Sequence, residues 1–597
     1  MVERHSFSTV DMVVFIGFLV CSGLIGLFFA VWPLIRGQTQ APSDLIMGNN
    51  QMSLIPVTLT LVATFVSAIS LLGYPADVYL NGTMFMWFAL MYVLALSIAA
   101  YVYVPVYYNL KISSAYEYLE IRFSRLVRLT ASSLFSLLVF AYMAVVLYAP
   151  ALALSVVTPL SLSATILVTG LLATAYTSFG GAKAVVYTNT IQMCIIFAGL
   201  LAVVIAGSSD HGGMANVWAI AQHGHRIDFT DFRADPRVRH SFWSLIVGGV
   251  VTFLTLFAAN QMTVQRYCSM PTLVKARLSV LLNIPVNVTF HALYILCGLI
   301  LYAEYASCDP VKSGILNKYD EMLAYYVMHK LGKLRGLPGL FVAATYGAGL
   351  STLSGGLNAL ASVVFVDFIQ PGYEACAGKP LPDRSGSWVL KGVAAVFGLA
   401  VIGMAFLFSL LGSSVLQIAL SIFGIVGGPL LGVFTVGMVF PWTNRHGALT
   451  GLAVSFIFTA WLGIGAILNG LKNVSLPLSD GCSNTTAMDL LIPPRPMDYN
   501  RVSFNEGLPE WLESFHGISY QYYAIFACLI QMAVALVVSF ATGATKPSSL
   551  DPRLLIPLAR LFCCCCPTSC QTACRCGVPE EAEEKTAEAE AEPFIDT

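Results

Sequence analysis

The stretch Thr58 to Pro75, TLTLVATFVSAISLLGYP, decides how the rest of the chain is read. It is apolar enough for bilayer depth, yet it carries hydroxyls at Thr58, Thr60, Thr64, Ser67 and Ser70, and it meets Gly73 and Pro75 before its first charge, Asp77. A helix that only faced lipid would gain nothing from these hydroxyls. A helix that opens its backbone around an ion or a solute would use both the hydroxyls and the breakers.

Composition sets the class around this stretch. The chain has 597 residues, is 57% hydrophobic and only 11% charged, and has a mean hydropathy of +0.75. Soluble domains carry about 25% charged residues, so the fold class is an all-α polytopic membrane protein. The formal net charge of −1 and the lack of a basic arm exclude a nucleic-acid partner. No nucleophile–base pair or metal-ligand spacing lies at membrane depth, which argues against an enzyme. The opening segment Val10 to Leu34 begins with Asp11 and lacks a small-residue cleavage site, so it reads as a retained helix.

Apolar windows of about 20 residues predict about thirteen transmembrane helices. They fall at 10–34, 52–76, 83–107, 126–150, 155–178, 183–207, 241–265, 277–303, 337–365, 388–411, 413–440, 447–470 and 519–542. Lys and Arg gather in one set of short connections (Arg36; Lys111, Arg122, Arg125 and Arg128; Lys183; Arg266, Lys275 and Arg277; Lys379 and Arg384; Arg445) and in the C-terminal Lys546, Arg553 and Arg560. The opposite connections, 77–82, 151–154 and 412, hold none. The positive-inside rule then puts the N-terminus outside and the C-terminus inside, with the loops 208–240, 304–336 and 471–518 outside.

The last of these loops contains the glycosylation sequons Asn473-Val-Ser and Asn484-Thr-Thr. Cys308 and Cys482 also fall in outward loops, an oxidising compartment that permits a disulfide between them. Residues 1–545 form the predicted transmembrane domain, and 546–597 a Cys-rich and acidic cytoplasmic tail read as disordered. Within that tail, Cys563, Cys564, Cys565 and Cys566 follow the interfacial segment LLIPLARLF, which favours S-palmitoylation over a metal cluster.

Several patches resemble the solute sodium symporter family, the group that includes the sodium/glucose, sodium/iodide, multivitamin and monocarboxylate transporters. They are SAYEYLEIRF (Ser114 to Phe123), GGAKAVVYTNTIQ (Gly180 to Gln192), NQMTVQRY (Asn260 to Tyr267), CDP (Cys308 to Pro310) and, longest, GLPGLFVAATYGAGLSTLSGGLNALASVVFVDF (Gly336 to Phe368). The opening stretch MSLIPVTLTLVATFVSAISLLGYPADVY is similar to the iodide, multivitamin and monocarboxylate branch. The resemblance implies a LeuT-type core of two inverted five-helix repeats opened by the spans near 52 and 241, with one span before the core and two after it.

The residues themselves make the span 337–365 the partner of the opening stretch. Ser351, Ser354 and Asn358 share a helix face, and Gly347, Gly349, Gly355 and Gly356 permit close approach of another backbone. A dehydrated Na⁺ takes about five or six hard oxygens, and only a broken helix can offer main-chain carbonyls. The resemblance implies a sodium site from the carbonyls of Ala63, Val66 and Ala348 with the hydroxyls of Ser351 and Thr352. For most Ser and Thr in apolar helices a bond back to the i−4 carbonyl is the commoner fate; inside this motif the ligand reading outweighs it.

Phe65 and Ser70, with Gln192, Asn260 and Gln261, are candidates for the solute cavity, although Phe65 also suits packing and Gln261 a brace between helices. His291, alone in an apolar span, reads as a satisfied core histidine. Where many members of the family have Asp in the T-D-x-x-Q stretch, this chain has Asn189. A carboxylate at bilayer depth is costly and usually functional, so this departure bears on a first sodium site, and with it a second Na⁺ per cycle, or on a gate contact.

The resemblance implies a plasma-membrane symporter with Na⁺ as coupling ion, embedded in lipid and importing a small organic anion, a monocarboxylate or a carboxylated vitamin such as biotin or pantothenate. An uncoupled facilitator or channel for a small anion on the same fold is the alternative reading.

Overall fold

The computed structural model describes residues 7–35, 52–112, 114–158, 160–410, 414–469, 472–479, 482, 494–496, 499–503 and 509–556. In chain order the helices are α1 (Thr9–Ile35), α2 (Leu54–Ala63), α3 (Ala68–Asn81), α4 (Thr83–Leu110), α5 (Arg125–Val157), α6 (Leu162–Asp210), α7 (Ser244–Phe257), α8 (Gln261–Tyr267), α9 (Leu273–Tyr305), α10 (Leu337–Ala377), α11 (Asp383–Ser409), α12 (Val415–Val439), α13 (Arg445–Leu468) and α14 (Tyr520–Thr542). Among the described residues, nine helices are long and apolar enough to cross a membrane, and two bent pairs each make a further span. The predicted thirteen also counts two apolar stretches that are shorter, Thr9–Ile25 and Leu162–Ala175. A two-residue strand pair, β1 (Lys472–Asn473) with antiparallel β2 (Val502–Ser503), lies in the connection between α13 and α14.

The bent pairs are the two helices expected to open the repeats. The α2/α3 pair bends by 55° and α7/α8 by 63°. The first break runs from Thr64 to Ser67, upstream of Gly73 and Pro75. Pro75 sits inside α3, so the sequence expectation that these residues mark the opening is corrected. Side chains make the break instead: the Thr64 hydroxyl donates back to the Thr60 carbonyl at 2.7 Å and the Ser70 hydroxyl to the Phe65 carbonyl at 3.1 Å. Hydroxyls that compete in this way for main-chain partners let the chain leave the helical path.

The spans expected at 155–178 and 183–207 form one continuous helical run, α6. The four residues between them stay in helical geometry.

Helix α10 is positioned from outside itself. The Asp11 carboxylate on α1 accepts from the Gly336 N–H at 2.8 Å and the Gly339 N–H at 3.2 Å, capping the α10 N-terminus from another helix. A carboxylate is the stabilising charge at that end. Gly349 of α10 meets Pro150 of α5 so closely that a Cβ there would lie 2.8 Å from the proline ring, and that contact fixes the depth of the next turn, Ser351–Thr352.

At the other side of the membrane, Arg122 donates to the carbonyls of Gly437, Phe440 and Thr443 at 3.0 to 3.2 Å, closing the C-terminal end of α12. The folded chain continues beyond 545. The Tyr118 hydroxyl donates to the Leu554 carbonyl at 3.1 Å and the Ile556 N–H to the Met438 carbonyl at 2.9 Å, with both apolar side chains buried. These contacts fall within the stretch expected as tail; Cys563 to Cys566 lie outside the described residues.

On the opposite face, salt bridges join the 224–243 segment to the 494–503 segment: Arg495 with Asp228, and Arg501 with Asp235 at 2.8 Å. The Asp228 carboxyl is partly buried, which favours its neutral form, yet the Thr230 N–H and Arg495 together hold it below the usual carboxylate range. The same face contains a disulfide between Cys308 and Cys482 with Cα atoms 4.2 Å apart.

Candidate functional site

An unbroken helix would hydrogen-bond the Ser67 N–H to the Ala63 carbonyl. Here the Ser67 N–H turns to the Phe65 carbonyl at 2.9 Å, and the Ala63 carbonyl is released toward α10. Two side chains meet it: Ser351 Oγ at 3.1 Å and Thr352 Oγ1 at 3.2 Å. The same hydroxyls lie 3.0 and 3.1 Å from the Ala348 carbonyl. Four of the five predicted sodium ligands thus share one cluster, and all four residues are fully buried.

The fifth, Val66, lies in the unwound segment, and among the described residues no main-chain N–H donates to its carbonyl. The donor set is made of neutral hard oxygens, the chemistry an alkali cation takes and a transition metal does not.

The second break is closed by protein. Its carbonyls at Leu256, Ala258 and Ala259 accept from Thr263 Oγ1 at 2.7 Å, Tyr107 OH at 2.7 Å and Tyr116 OH at 3.3 Å. Asn260 caps α8 by accepting the Met262 N–H at 2.9 Å, and Gln261 Oε1 accepts the Ala115 N–H at 2.8 Å. These two predicted solute contacts are therefore a cap and a brace. The signal for the cap was an Asn immediately before a helix start.

A cavity opens beside the first break. Phe65, Val66, Ser67 and Ser70 line it, together with Tyr74, Tyr92, Tyr142, Asn287, Tyr294, Leu416 and Phe423. Phe65 packs its ring against Phe257 at 5.5 Å, so the two breaks face each other across this space. The α3 N-terminus, with its free N–H groups and partial positive charge, begins at Ala68, between Ser67 and Ile69 of the cavity wall. The Tyr294 hydroxyl is buried on the wall without a hydrogen-bond partner. No Lys or Arg lines this cavity among the described residues.

Gln192 is not on the wall. It packs beside Gly347 of α10, with both amide atoms buried and unpartnered. One turn earlier on α6, Asn189 Nδ2 donates to Thr60 Oγ1 at 2.9 Å. His291 bonds the Phe85 carbonyl at 2.8 Å and lies edge-on to Tyr74 at 4.9 Å, a core histidine.

The sequence reading misses Arg266. Counted there as a loop charge, it lies buried on α8 and donates to the Thr60 carbonyl and Thr64 Oγ1, at the end of α2. Its place in a short amphipathic run just before the connection disguised it.

Carbonyls freed by a broken helix toward a cation, next to a cavity reached by a helix N-terminus, are how secondary transporters couple an ion to a solute. The chain belongs to the sodium:solute symporter family, whose model matches residues 45–455. It is 39% identical over 558 residues to sodium-coupled monocarboxylate transporter 1 of Mus musculus, covering 92% of this chain and 90% of the relative. It is 38% identical over 579 residues to sodium-coupled monocarboxylate transporter 2 of the same species, covering 97% and 91%. To the sodium-dependent multivitamin transporter of Oryctolagus cuniculus it is 37% identical over 577 residues, covering 96% and 89%. Its fold is shared with a Na⁺-coupled sialic acid symporter in a substrate-bound outward-open state, at a TM-score of 0.73 and 20% identity, covering 91% of this chain and all of that one. It is a multi-pass membrane symporter and not an enzyme.

Proposed function

We propose that this chain couples the inward movement of Na⁺ to uptake of a small organic anion, a monocarboxylate or a carboxylated vitamin such as biotin or pantothenate, across the plasma membrane. The observation that carries the reading is the Ala63 carbonyl, released by the helix break and met by the Ser351 and Thr352 hydroxyls of α10. Na⁺ would take the carbonyls of Ala63, Val66 and Ala348 and those two hydroxyls. Because α2 and α10 each supply ligands, occupancy favours the arrangement in which they are together and biases the alternating-access equilibrium.

The anion would lie at the α3 N-terminus, against Phe65 and Ser70, with the Tyr294 hydroxyl as a donor. Neutral donors suit a monoanion here because a fixed cation on the wall would hold it too tightly for release, and Na⁺ supplies the compensating charge. The names of the relatives match this chemistry, and the ion-ligand cluster favours coupled transport over an uncoupled facilitator.

In this reading residues 1–545 carry transport, the N-terminus is extracellular and the C-terminus cytoplasmic. Cys563 to Cys566 anchor the tail by S-palmitoylation, and Asn484, outside the described residues, is glycosylated. Asn473 is the weaker acceptor, since its Nδ2 already donates to Gln417 Oε1 at 3.1 Å. Tracer uptake in expressing cells with and without sodium, with biotin, pantothenate, lactate, acetate and iodide as competitors, tests the proposal. Sodium-independent uptake, or competition by iodide alone, would refute it.

A further inference from the structure

Arg266 is a full positive charge in a buried place, and among the described residues no carboxylate pairs with it. Its guanidinium donates to the Thr60 carbonyl and Thr64 Oγ1. It also packs on Gly355 of α10, where an added Cβ would collide with it. It is therefore wedged between the two helices that carry the candidate sodium ligands: Thr64 follows Ala63 directly, and Gly355 lies one turn past Ser351 and Thr352.

The ligand set is neutral, made of carbonyls and hydroxyls, so nothing in it offsets the repulsion between the guanidinium and a bound cation. At an effective dielectric near 20, two unit charges within about 10 Å of each other repel strongly enough to change affinity by about tenfold or more, and Thr64, which the guanidinium touches, adjoins Ala63. Arg266 sits on the side of the site where α2 and α8 both end.

Asn189 decides whether that charge stays uncompensated. Its Nδ2 donates to Thr60 Oγ1, while Arg266 donates to the carbonyl of the same residue. The Oδ1 of Asn189 is buried with no hydrogen-bond partner. A carboxylate of the same shape at 189 would place a negative charge against Thr60, the residue the guanidinium also contacts; the amide does not.

We infer that Arg266 is a positioning residue that holds a fixed positive charge against the sodium site and loosens the ion toward the α2 and α8 side, and that Asn189 preserves this charge by being neutral. The inference rests on the sodium-site reading above. It makes this carrier a weak binder and fast releaser of sodium, with Arg266 and Asn189 as the determinants.

The test is radioactive sodium binding to the purified full chain, with no anion present. Asn189→Asp, nearly isosteric, tightens sodium binding about tenfold or more. Arg266→Gln tightens it as well, and Arg266→Lys, which keeps the charge, leaves it near the parent value. The double variant Ser351→Ala, Thr352→Ala abolishes binding. If that double variant abolishes binding while Asn189→Asp and Arg266→Gln both stay within twofold of the parent, the inference is overturned and the sodium site stands. If the double variant binds sodium as the parent does, the site reading fails and the inference with it. Should Arg266→Gln not fold, Asn189→Asp decides alone, read at one sodium ion bound per chain, since the Thr60 hydroxyl can donate to the new carboxylate where it now accepts from the amide.

Discussion

The Ser351 hydroxyl lies 3.1 Å from the Ala63 carbonyl, 288 residues earlier in the chain. One partner is a side chain and the other main chain, so the two respond differently to mutation. Ser351→Ala or Thr352→Ala should remove a proposed ion ligand at a cost of about 1 to 2 kcal/mol, raising the sodium concentration for half-maximal uptake roughly tenfold. Ala63→Gly leaves the carbonyl in place and keeps uptake sodium-dependent. Sodium titration of tracer uptake in the three variants checks this; equal effects at all three positions would contradict it.

The Tyr294 hydroxyl waits on the cavity wall without a partner. Tyr294→Phe should raise KM for the transported anion by about tenfold or more, the worth of one hydrogen bond to a charged group. The sodium dependence should be little changed. A shift in sodium half-saturation with KM unaltered would place the anion elsewhere.

With Asn189 donating its amide to Thr60, no carboxylate stands there to hold a second sodium ion. A monovalent anion moving inward works against an inside-negative potential by about 2.3 kcal/mol per 100 mV, and one Na⁺ cancels it. Transport should therefore be electroneutral, one ion per anion. Voltage-clamped cells expressing the protein should show uptake with no substrate-evoked current; an inward current would sink the prediction.

Asp320, in the connection between α9 and α10, accepts from the Val415 N–H at 3.3 Å and from the Ser414 hydroxyl at 3.5 Å, tethering the start of α12. Helix α12 carries Leu416 and Phe423 onto the cavity wall. Burial pushes the Asp320 carboxyl up to about 6, against the Val415 N–H, Lys318 and Ser414, with the charge of Asp77 adding to the rise. A raised carboxyl favours the folded state below its ordinary value of 3.8 and loses that contribution as pH rises through about 6. Acidification to pH 6 should then protonate Asp320, weaken the tether and alter anion KM with a midpoint near that pH. Asp320→Asn should flatten the profile and unfold no more easily than the parent at neutral pH. An unchanged pH profile in that variant would dismiss the tether.

The Cys308–Cys482 disulfide closes a long loop. Replacing both cysteines by serine should lower stability by about 2 to 5 kcal/mol, seen as a lower unfolding temperature of the purified protein. Sodium affinity should hold, because the ligands lie on α2 and α10.

Hydropathy and a handful of short motifs are enough to read a polytopic helical symporter, because lipid forces every spanning segment to declare itself as a long apolar helix. Ser351 and Thr352 are legible through the family resemblance, because for an isolated Ser or Thr at that depth a bond back to the i−4 carbonyl is the commoner fate. The position of the opening was less legible. Gly73 and Pro75 look like breakers, yet α3 absorbs both, and the break falls where Thr64 and Ser70 hydroxyls compete for main-chain carbonyls.

The sequence by itself determined the class, the pairing of two distant spans and the oxygen-bearing residue types an alkali cation would take, since these follow from solvation and local chemistry. Only the tertiary structure decided which atoms meet. Ala63 matters through a carbonyl that its methyl side chain never advertises, Asn260 and Gln261 are taken up as cap and brace, and Arg266 leaves a supposed loop for the end of α2. Each of those outcomes depends on where another helix stands, and helix placement is set by packing and capping across hundreds of residues, as Asp11 shows by holding the start of α10.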